Sequence, residues 1–140
     1  MYLLQAGILS LLSIVKGKRI KAFRSDSAAY QAEIINHCED NGIKFAIGSD
    51  LDEAVLGVIR AIPKDDWKPY KNGHIAETVH SMNKTKNAFR LVVIQRPYQG
   101  NMFSDENVSL KYTVIATNRV ETSEWVVAGT INGGIAVKTG

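Results

Sequence analysis

Two strand-and-helix pairs follow each other in the first half of this chain, and this order constrains the fold more than any other feature. Lys18 to Ser25 alternates apolar and polar residues, and Ala28 to Asn41 repeats apolar residues at helical spacing. Ile43 to Gly48 predicts a second strand, and Leu51 to Ile62 predicts a second helix that Pro63 ends. Strands joined by helices favour a sheet with crossover connections, so we expect an α/β core.

Capping residues and apolar stripes support both helices. Asp26 and its serine neighbours can cap the first helix, and Ser49 with Asp50 can cap the second. The predicted core-facing residues of the first helix are Ala29, Ile34, Ile35 and Cys38. Those of the second helix are Ala54, Val55, Val58, Ile59 and Ile62.

The second half of the chain follows a strand pattern. Residues 65–70 predict a polar, aromatic linker, and apolar and polar residues then alternate in three stretches, 74–82, 88–95 and 110–117. Turn residues 83–87 join the first two as a hairpin, and 97–107 form a longer polar loop. We therefore expect antiparallel β structure here. Residues 121–128 can begin a helix capped by Thr122 or Ser123, which the later glycines end, and the tail then frays or forms a hairpin.

Length and composition exclude several classes of protein. A chain of 140 residues with 45% hydrophobic residues can bury the core of one domain. The single cysteine, Cys38, excludes an internal disulfide framework and fits a reducing, cytoplasmic location. The apolar residues 1–15 are fewer than the roughly 20 needed to cross a bilayer, and no positive charge precedes them as in a signal peptide. They predict a buried helix, and we expect no membrane partner.

Charge is segregated along the chain although the net value is only +3. Residues 1–25 carry five bases and no acid, whereas residues 26–66 carry nine acids and three bases. Residues 67–119 are basic again, with eight bases and three acids. Such blocks suit a protein that binds a polyanion, and they are also common on ordinary solvated surfaces.

Few residues form a pattern that carries chemistry. The chain has no phosphate-binding loop, dinucleotide fingerprint or zinc signature, and His74 and His80 have no third ligand nearby in sequence. Asp26 is more informative because it follows the first strand, where carboxylates of α/β sheets face the usual ligand crevice. A carboxylate there can bind Mg²⁺, or it can simply cap the next helix.

Five segments stand out in order along the chain: FRSDSAAYQAEII (23–35), NGIKFAIG (41–48), AIPKDDW (61–67), IAETVH (75–80) and VIATN (114–118). Together they resemble the catalytic domain of DDE-type insertion-sequence transposases. The resemblance covers roughly residues 18–119. It implies a mixed α/β fold with three parts: a partial ribonuclease H-like core over residues 1–66, an antiparallel β-rich insertion over 67–119 and a divergent tail over 120–140.

The resemblance also implies a function. The family cuts and joins DNA with three carboxylates and two divalent metals, Mg²⁺ or Mn²⁺, and Asp26 corresponds to its second acid. DNA, in the form of transposon ends, is the implied partner. By the same resemblance, four candidate DNA contacts would lie near backbone phosphates: Lys18, Arg19, Lys21 and Arg24. On charge alone, Lys84, Lys86 and Arg90 of the β insertion are further candidates.

Departures from the family pattern lead to a specific hypothesis. No acid precedes Asp26, and Glu121 and Glu124 lack the basic surroundings of the family's third acid. One carboxylate of three cannot hold two metals for catalysis, so we expect a catalytically incomplete internal fragment. The alternatives are a non-catalytic DNA-binding module, a module that associates with itself through open sheet edges, and an unrelated α/β domain.

Overall fold

A seven-stranded sheet organises the protein. In the computed structural model, the residues described are Lys16, 20–97, 110–130 and 136–139. The strands are β1 (Ile20–Ser25), β2 (Lys44–Gly48), β3 (Lys68–Tyr70), β4 (Gly73–His80), β5 (Phe89–Pro97), β6 (Leu110–Thr117) and β7 (Ala136–Thr139). The α-helices among the described residues are α1 (Ala32–Asp40), α2 (Glu53–Arg60) and α3 (Ser123–Thr130). The fold is therefore mixed α/β, as predicted.

The sheet is mostly antiparallel. Its strand order is β3-β4-β5-β6-β2-β1-β7, and β1 and β2, joined by α1, form its parallel pair. β6 pairs antiparallel with β2, so the β-rich segment continues the same sheet as the first two strands. Strands from all three predicted segments, 1–66, 67–119 and 120–140, thus share one sheet.

Two helices cover one face of the sheet and the third covers the other. α1 and α2 pack on the core that contains Phe23, Phe45 and Leu91. α3 packs with Val126 and Val127 on the opposite face, against Val92 and its neighbours. Successive side chains of a strand point to opposite faces of the sheet, so the apolar residues of each strand divide between the two cores.

The first predicted helix is divided in two, which corrects the prediction of one helix over 28–41. A short 3₁₀ helix spans Ser27–Ala29, and α1 begins only at Ala32. Between them Gln31 has an extended backbone, and the buried Tyr30 ring packs edge-on against Phe89. The predicted face is confirmed, because Ala29, Ile34, Ile35 and Cys38 are all buried. Burial raises the pKa of the Cys38 thiol to about 12, as befits a packing residue.

The second helix is capped later than predicted. Asp52, rather than Ser49 or Asp50, accepts the capping hydrogen bond from the Val55 N–H at 2.9 Å. An N-cap needs extended backbone geometry, which Asp52 has. Of its predicted stripe, Val55, Ile59 and Ile62 are buried, Val58 is partly buried and Ala54 is exposed.

The predicted strands of the second half are confirmed, with one addition. The supposed linker contains β3, which pairs with β4 at the edge of the sheet. Pro69 lies in this edge strand, the kind of strand in which proline is tolerated within a sheet. Gly73 begins β4 so close to β5 that a Cβ there would collide with the Gln95 carbonyl oxygen.

The tail forms regular structure that the sequence only partly indicated. The Thr122 hydroxyl caps α3 by accepting from the Trp125 N–H at 3.2 Å, and the helix extends through Gly129 to Thr130. β7 then pairs antiparallel with β1. None of the helices in the described residues is long and apolar enough to cross a membrane. The predicted helix over 1–15 lies outside the described residues, as does most of the predicted loop 97–107.

Candidate functional site

Asp26 lies at the carboxyl end of β1, as predicted, but its carboxylate has a structural contact. Its Oδ1 accepts a hydrogen bond from the Ala28 N–H at 3.0 Å and caps the 3₁₀ helix. The side chain is exposed and lines neither of the two clefts described below. β1 is paired on both sides, although it is next to the edge strand β7 rather than at the centre of the sheet.

Other acids lie near the same edge without forming a metal site. Because β1 and β2 are parallel, Asp50 and Asp52 also follow the carboxyl end of a strand at this edge. Asp52 is occupied as the cap of α2. In the part of the chain that the structure describes, no three His, Cys, Asp or Glu side chains group so as to hold a metal ion. The described residues therefore do not fit the two-metal centre that the resemblance implies.

A basic cleft opens instead on the α3 face of the sheet. Its volume is about 310 Å³, and none of the described residues that line it is acidic. Its four cations come from distant positions in the sequence, Arg24, Lys44, Arg119 and Lys138. Its wall includes Ala22, Ala46, Trp125, Val126 and Gly129. We call this site the basic cleft.

Strand register explains why three of the cations converge. Lys44 of β2, Ala22 of β1 and Lys138 of β7 are partners in one row across the sheet. In the next row on the same face, Arg24 is the partner of Ala46. Small alanine side chains thus alternate with long cationic ones, which leaves open volume between the charges. Adjacent strands are about 4.8 Å apart, so the two lysines of one row start only about 10 Å apart.

Helix α3 closes the basic cleft from above. The helix lies next to Arg24 at Gly129, where a Cβ would be in ordinary contact, 3.4 Å from the Arg24 Nη1. Trp125 contributes an aromatic wall, and the Arg119 guanidinium lies over its ring at 4.7 Å from the centroid. Half of the Trp125 surface remains exposed (50%).

Within the described part of the chain, most cations of the basic cleft have no ion-pair partner. Arg119 contacts Glu121 at 3.5 Å, but no described residue forms an ion pair with Arg24, Lys44 or Lys138. Like charges held together without counterions attract anions, and at physiological salt the Debye length of about 8 Å lets neighbouring charges act on one ligand.

A second cleft lies at the amino end of α3 and differs in its charge. It has a volume of about 540 Å³, and its lining includes acids and bases, among them Glu77 and Arg90, together with the hydroxyl group of Ser123. We call it the mixed-charge cleft. The Arg90 Nη2 lies 2.6 Å from the Glu77 Oε2, and the Ser123 hydroxyl donates to the same oxygen at 2.6 Å.

Arg90 is saturated by these contacts. Its Nε and Nη2 donate to Glu77, Nη2 also to Ser123, and Nη1 to the carbonyl oxygens of Arg119 and Glu121. A guanidinium has five N–H donors, and each of them has an acceptor here. Arg90 could therefore contact a phosphate only by releasing α3, so we assign it a structural role.

The remaining predicted DNA contacts are dispersed. Lys86 forms an ion pair with Asp40 at 2.7 Å, beside the exposed Lys84 in the β4–β5 hairpin. Lys21 is exposed on β1. Lys18 and Arg19 lie outside the described residues. Of the five predicted contacts that lie among the described residues, only Arg24 is in the basic cleft.

Sequence reasoning missed Lys44, Arg119, Lys138 and Trp125. One signal was available, because the alternation in β1 and β2 puts Arg24 and Lys44 on the faces opposite Phe23 and Phe45. Arg119 and Lys138 reach the cleft only through tertiary pairing, which no local pattern specifies.

Comparisons with known proteins do not extend this description. No family model, no curated protein and no solved structure matches the chain.

Proposed function

We propose that this protein binds nucleic acid through the basic cleft without cutting it. We propose further that it descends from a strand-transferring DNA transposase and retains an internal piece of its ribonuclease H-like catalytic domain. The observation that carries the binding proposal is the convergence of Arg24, Lys44 and Lys138 on one face of the sheet, without acidic partners among the described residues.

Electrostatics favours a polyanion as the ligand. Each phosphate neutralised by a lysine or arginine releases bound counterions, which supplies most of the affinity of non-specific nucleic-acid binding. A cleft whose described lining contains four cations and no acid suits such a ligand. The mixed-charge cleft does not, since Arg90 is already engaged by Glu77, Ser123 and two carbonyl groups.

Two features support the proposed ancestry. The β1–α1–β2 unit with its parallel strands fits the partial core that the resemblance implies, and β4, β5 and β6 fit the β-rich insertion. The direct pairing of β6 with β2 differs from the separate core and insertion that the resemblance implies, because the two parts share one sheet here.

The proposal of inactivity is based on Asp26. Its carboxylate caps a 3₁₀ helix, and a single acid cannot position two metals on either side of a scissile phosphate. Since Mg²⁺ binds through carboxylates together with phosphate oxygens and water, Asp26 alone provides one ligand of the set.

A nicking assay combined with a binding assay tests this function. Supercoiled plasmid is incubated with the protein and Mg²⁺ or Mn²⁺, and binding is measured in parallel by fluorescence anisotropy. We expect binding that weakens steeply with salt, and no nicking above the level of Asp26→Ala. Robust nicking that Asp26→Ala abolishes would contradict the proposed inactivity, and absence of any binding at low salt would contradict the proposed function.

Self-association is a second candidate, favoured by the sheet edge. β7 ends the sheet, and in the described residues its outer edge has no partner strand. An open edge can pair with another chain. The other edge strand, β3, contains Pro69, which discourages such pairing. Light scattering coupled to size exclusion decides this point: a concentration-dependent dimer supports it, and a strict monomer at high concentration contradicts it.

A further inference from the structure

We propose that the basic cleft holds an unpaired nucleotide, so that the protein prefers single-stranded over duplex nucleic acid. This inference rests on the proposed function and specifies its substrate class. The cations bind the phosphate groups, and the ring of Trp125 stacks on the exposed base.

The volume of the basic cleft suits the binding of a single nucleotide. At about 310 Å³ it lies at the lower end of the range of small-ligand pockets, roughly 300–1,000 Å³. A duplex keeps its bases stacked inside and presents only its backbone, so it could touch the mouth of the cleft but not fill it.

The composition of the cleft wall suits the binding of a nucleobase as well as a phosphate group. A site for phosphate alone needs only cations, but here Ala22, Ala46 and Val126 line a mostly apolar wall between the cations. Trp125 adds an aromatic surface that is half exposed. Proteins that bind single strands combine these two elements, a positively charged groove and aromatic rings on which bases stack.

The orientation of Trp125 is stabilised before any ligand binds. Arg119 lies over one face of the ring at 4.7 Å from its centroid, and α3 holds the backbone. A stacked base would use the ring surface that Arg119 leaves open. Because paired bases in a duplex are not accessible, this contact discriminates between the two forms of nucleic acid.

Paired binding measurements on the full chain test the inference. Anisotropy is recorded with a labelled oligo(dT) of about 15 nucleotides and with a duplex of equal length. We expect tighter binding of oligo(dT), and we expect Trp125→Ala to weaken it about tenfold while changing duplex affinity less than about twofold. Trp125→Phe should retain most of the affinity because it keeps an aromatic face, and Trp67→Phe, remote from the cleft, should have no effect.

A spectroscopic measurement covers the case in which Trp125→Ala folds poorly. In Trp67→Phe, Trp125 is the remaining tryptophan, and we expect oligo(dT) to quench its fluorescence at the concentration where anisotropy reports binding. Equal affinity for single strand and duplex, with no quenching, would overturn this inference and leave the proposed function standing. No binding of either DNA at low salt would overturn the proposed function itself.

Discussion

The basic cleft and the mixed-charge cleft lie beside the same helix, α3, but they use their cations differently. In the mixed-charge cleft, all five N–H groups of Arg90 donate hydrogen bonds, to Glu77, Ser123 and two backbone carbonyl groups. In the basic cleft, Arg24, Lys44 and Lys138 have no ion-pair partner among the described residues. The difference teaches that positive charge alone does not identify a binding surface, whereas positive charge without internal acceptors does.

The strongest test of this difference is the substitution Arg90→Met. It leaves two carbonyl groups without their Arg90 donor, and the Glu77 carboxylate keeps its hydrogen bond from Ser123 but loses those from Arg90, so we expect the free energy of unfolding to fall by about 2–3 kcal/mol. Urea denaturation followed by circular dichroism measures this. Arg24→Met is the matched control from the basic cleft, and it should change stability by about 0.5 kcal/mol or less. Equal losses in the two variants would remove the distinction between the clefts.

Ser123→Ala probes the same network with a smaller change. It deletes the 2.6 Å hydrogen bond to Glu77, and we expect a loss of about 1 kcal/mol at neutral pH. The same bond, followed by those from Arg90, keeps the pKa of Glu77 below its usual value of 4.5. A carboxyl group whose pKa is lower in the folded than in the unfolded protein contributes stability above the unfolded-state pKa, here 4.5. This contribution is lost as the pH falls through the folded-state pKa.

Stability measured against pH checks the sign of this effect. The wild-type protein should lose stability on acidification below about pH 4.5, and Ser123→Ala should lose less over the same range. Identical pH profiles would show that Ser123 does not influence the ionisation of Glu77.

Gly129→Ala should have the smallest effect and the opposite sign. Alanine in place of an internal helical glycine stabilises a helix by up to about 1 kcal/mol. The new Cβ would lie 3.4 Å from the mobile end of Arg24, which can shift at little cost. We expect a gain of about 0.5 kcal/mol in thermal or urea denaturation and slightly weaker nucleic-acid binding. A loss of more than about 1 kcal/mol would mean that Arg24 is held rigidly against α3.

Local patterns predicted the elements of the fold well. The cap at Asp26, the buried face of α1 and the strands β1, β2, β4, β5 and β6 follow from periodicity and turn residues, whereas the cap of α2 lies later than predicted, at Asp52. The interruption at Tyr30 and Gln31 was not predictable, because it depends on the packing of Tyr30 against Phe89, more than 50 residues away. β3 was missed because a strand of three residues with a central proline has no alternation to detect.

The candidate site was less predictable than the fold. Arg24 was singled out from the sequence, but the basic cleft also needs Lys138, which reaches β1 through the pairing of β7. In the sequence Arg90 looked equivalent to the other cations, because the acceptors of its five hydrogen bonds come from β4, from residues 119 and 121 and from the start of α3. The role of Asp26 in the resemblance to transposases stays a prediction, while its role as a cap is a feature of the structure.

The salt dependence of nucleic-acid affinity tests the central claim most directly. Anisotropy with labelled oligo(dT) is measured between about 50 and 200 mM salt for the wild-type protein and for the triple variant Arg24→Gln, Lys44→Gln, Lys138→Gln. Each contact with a single-strand phosphate contributes about −0.7 to the slope of the logarithm of the binding constant against the logarithm of the salt concentration. The triple variant should therefore have a slope shallower by about 2 and a weaker affinity. Lys64→Gln, an exposed lysine outside the basic cleft, serves as the control and should match the wild type. Equal slopes for the wild type and the triple variant, or binding that salt does not weaken, would contradict the account.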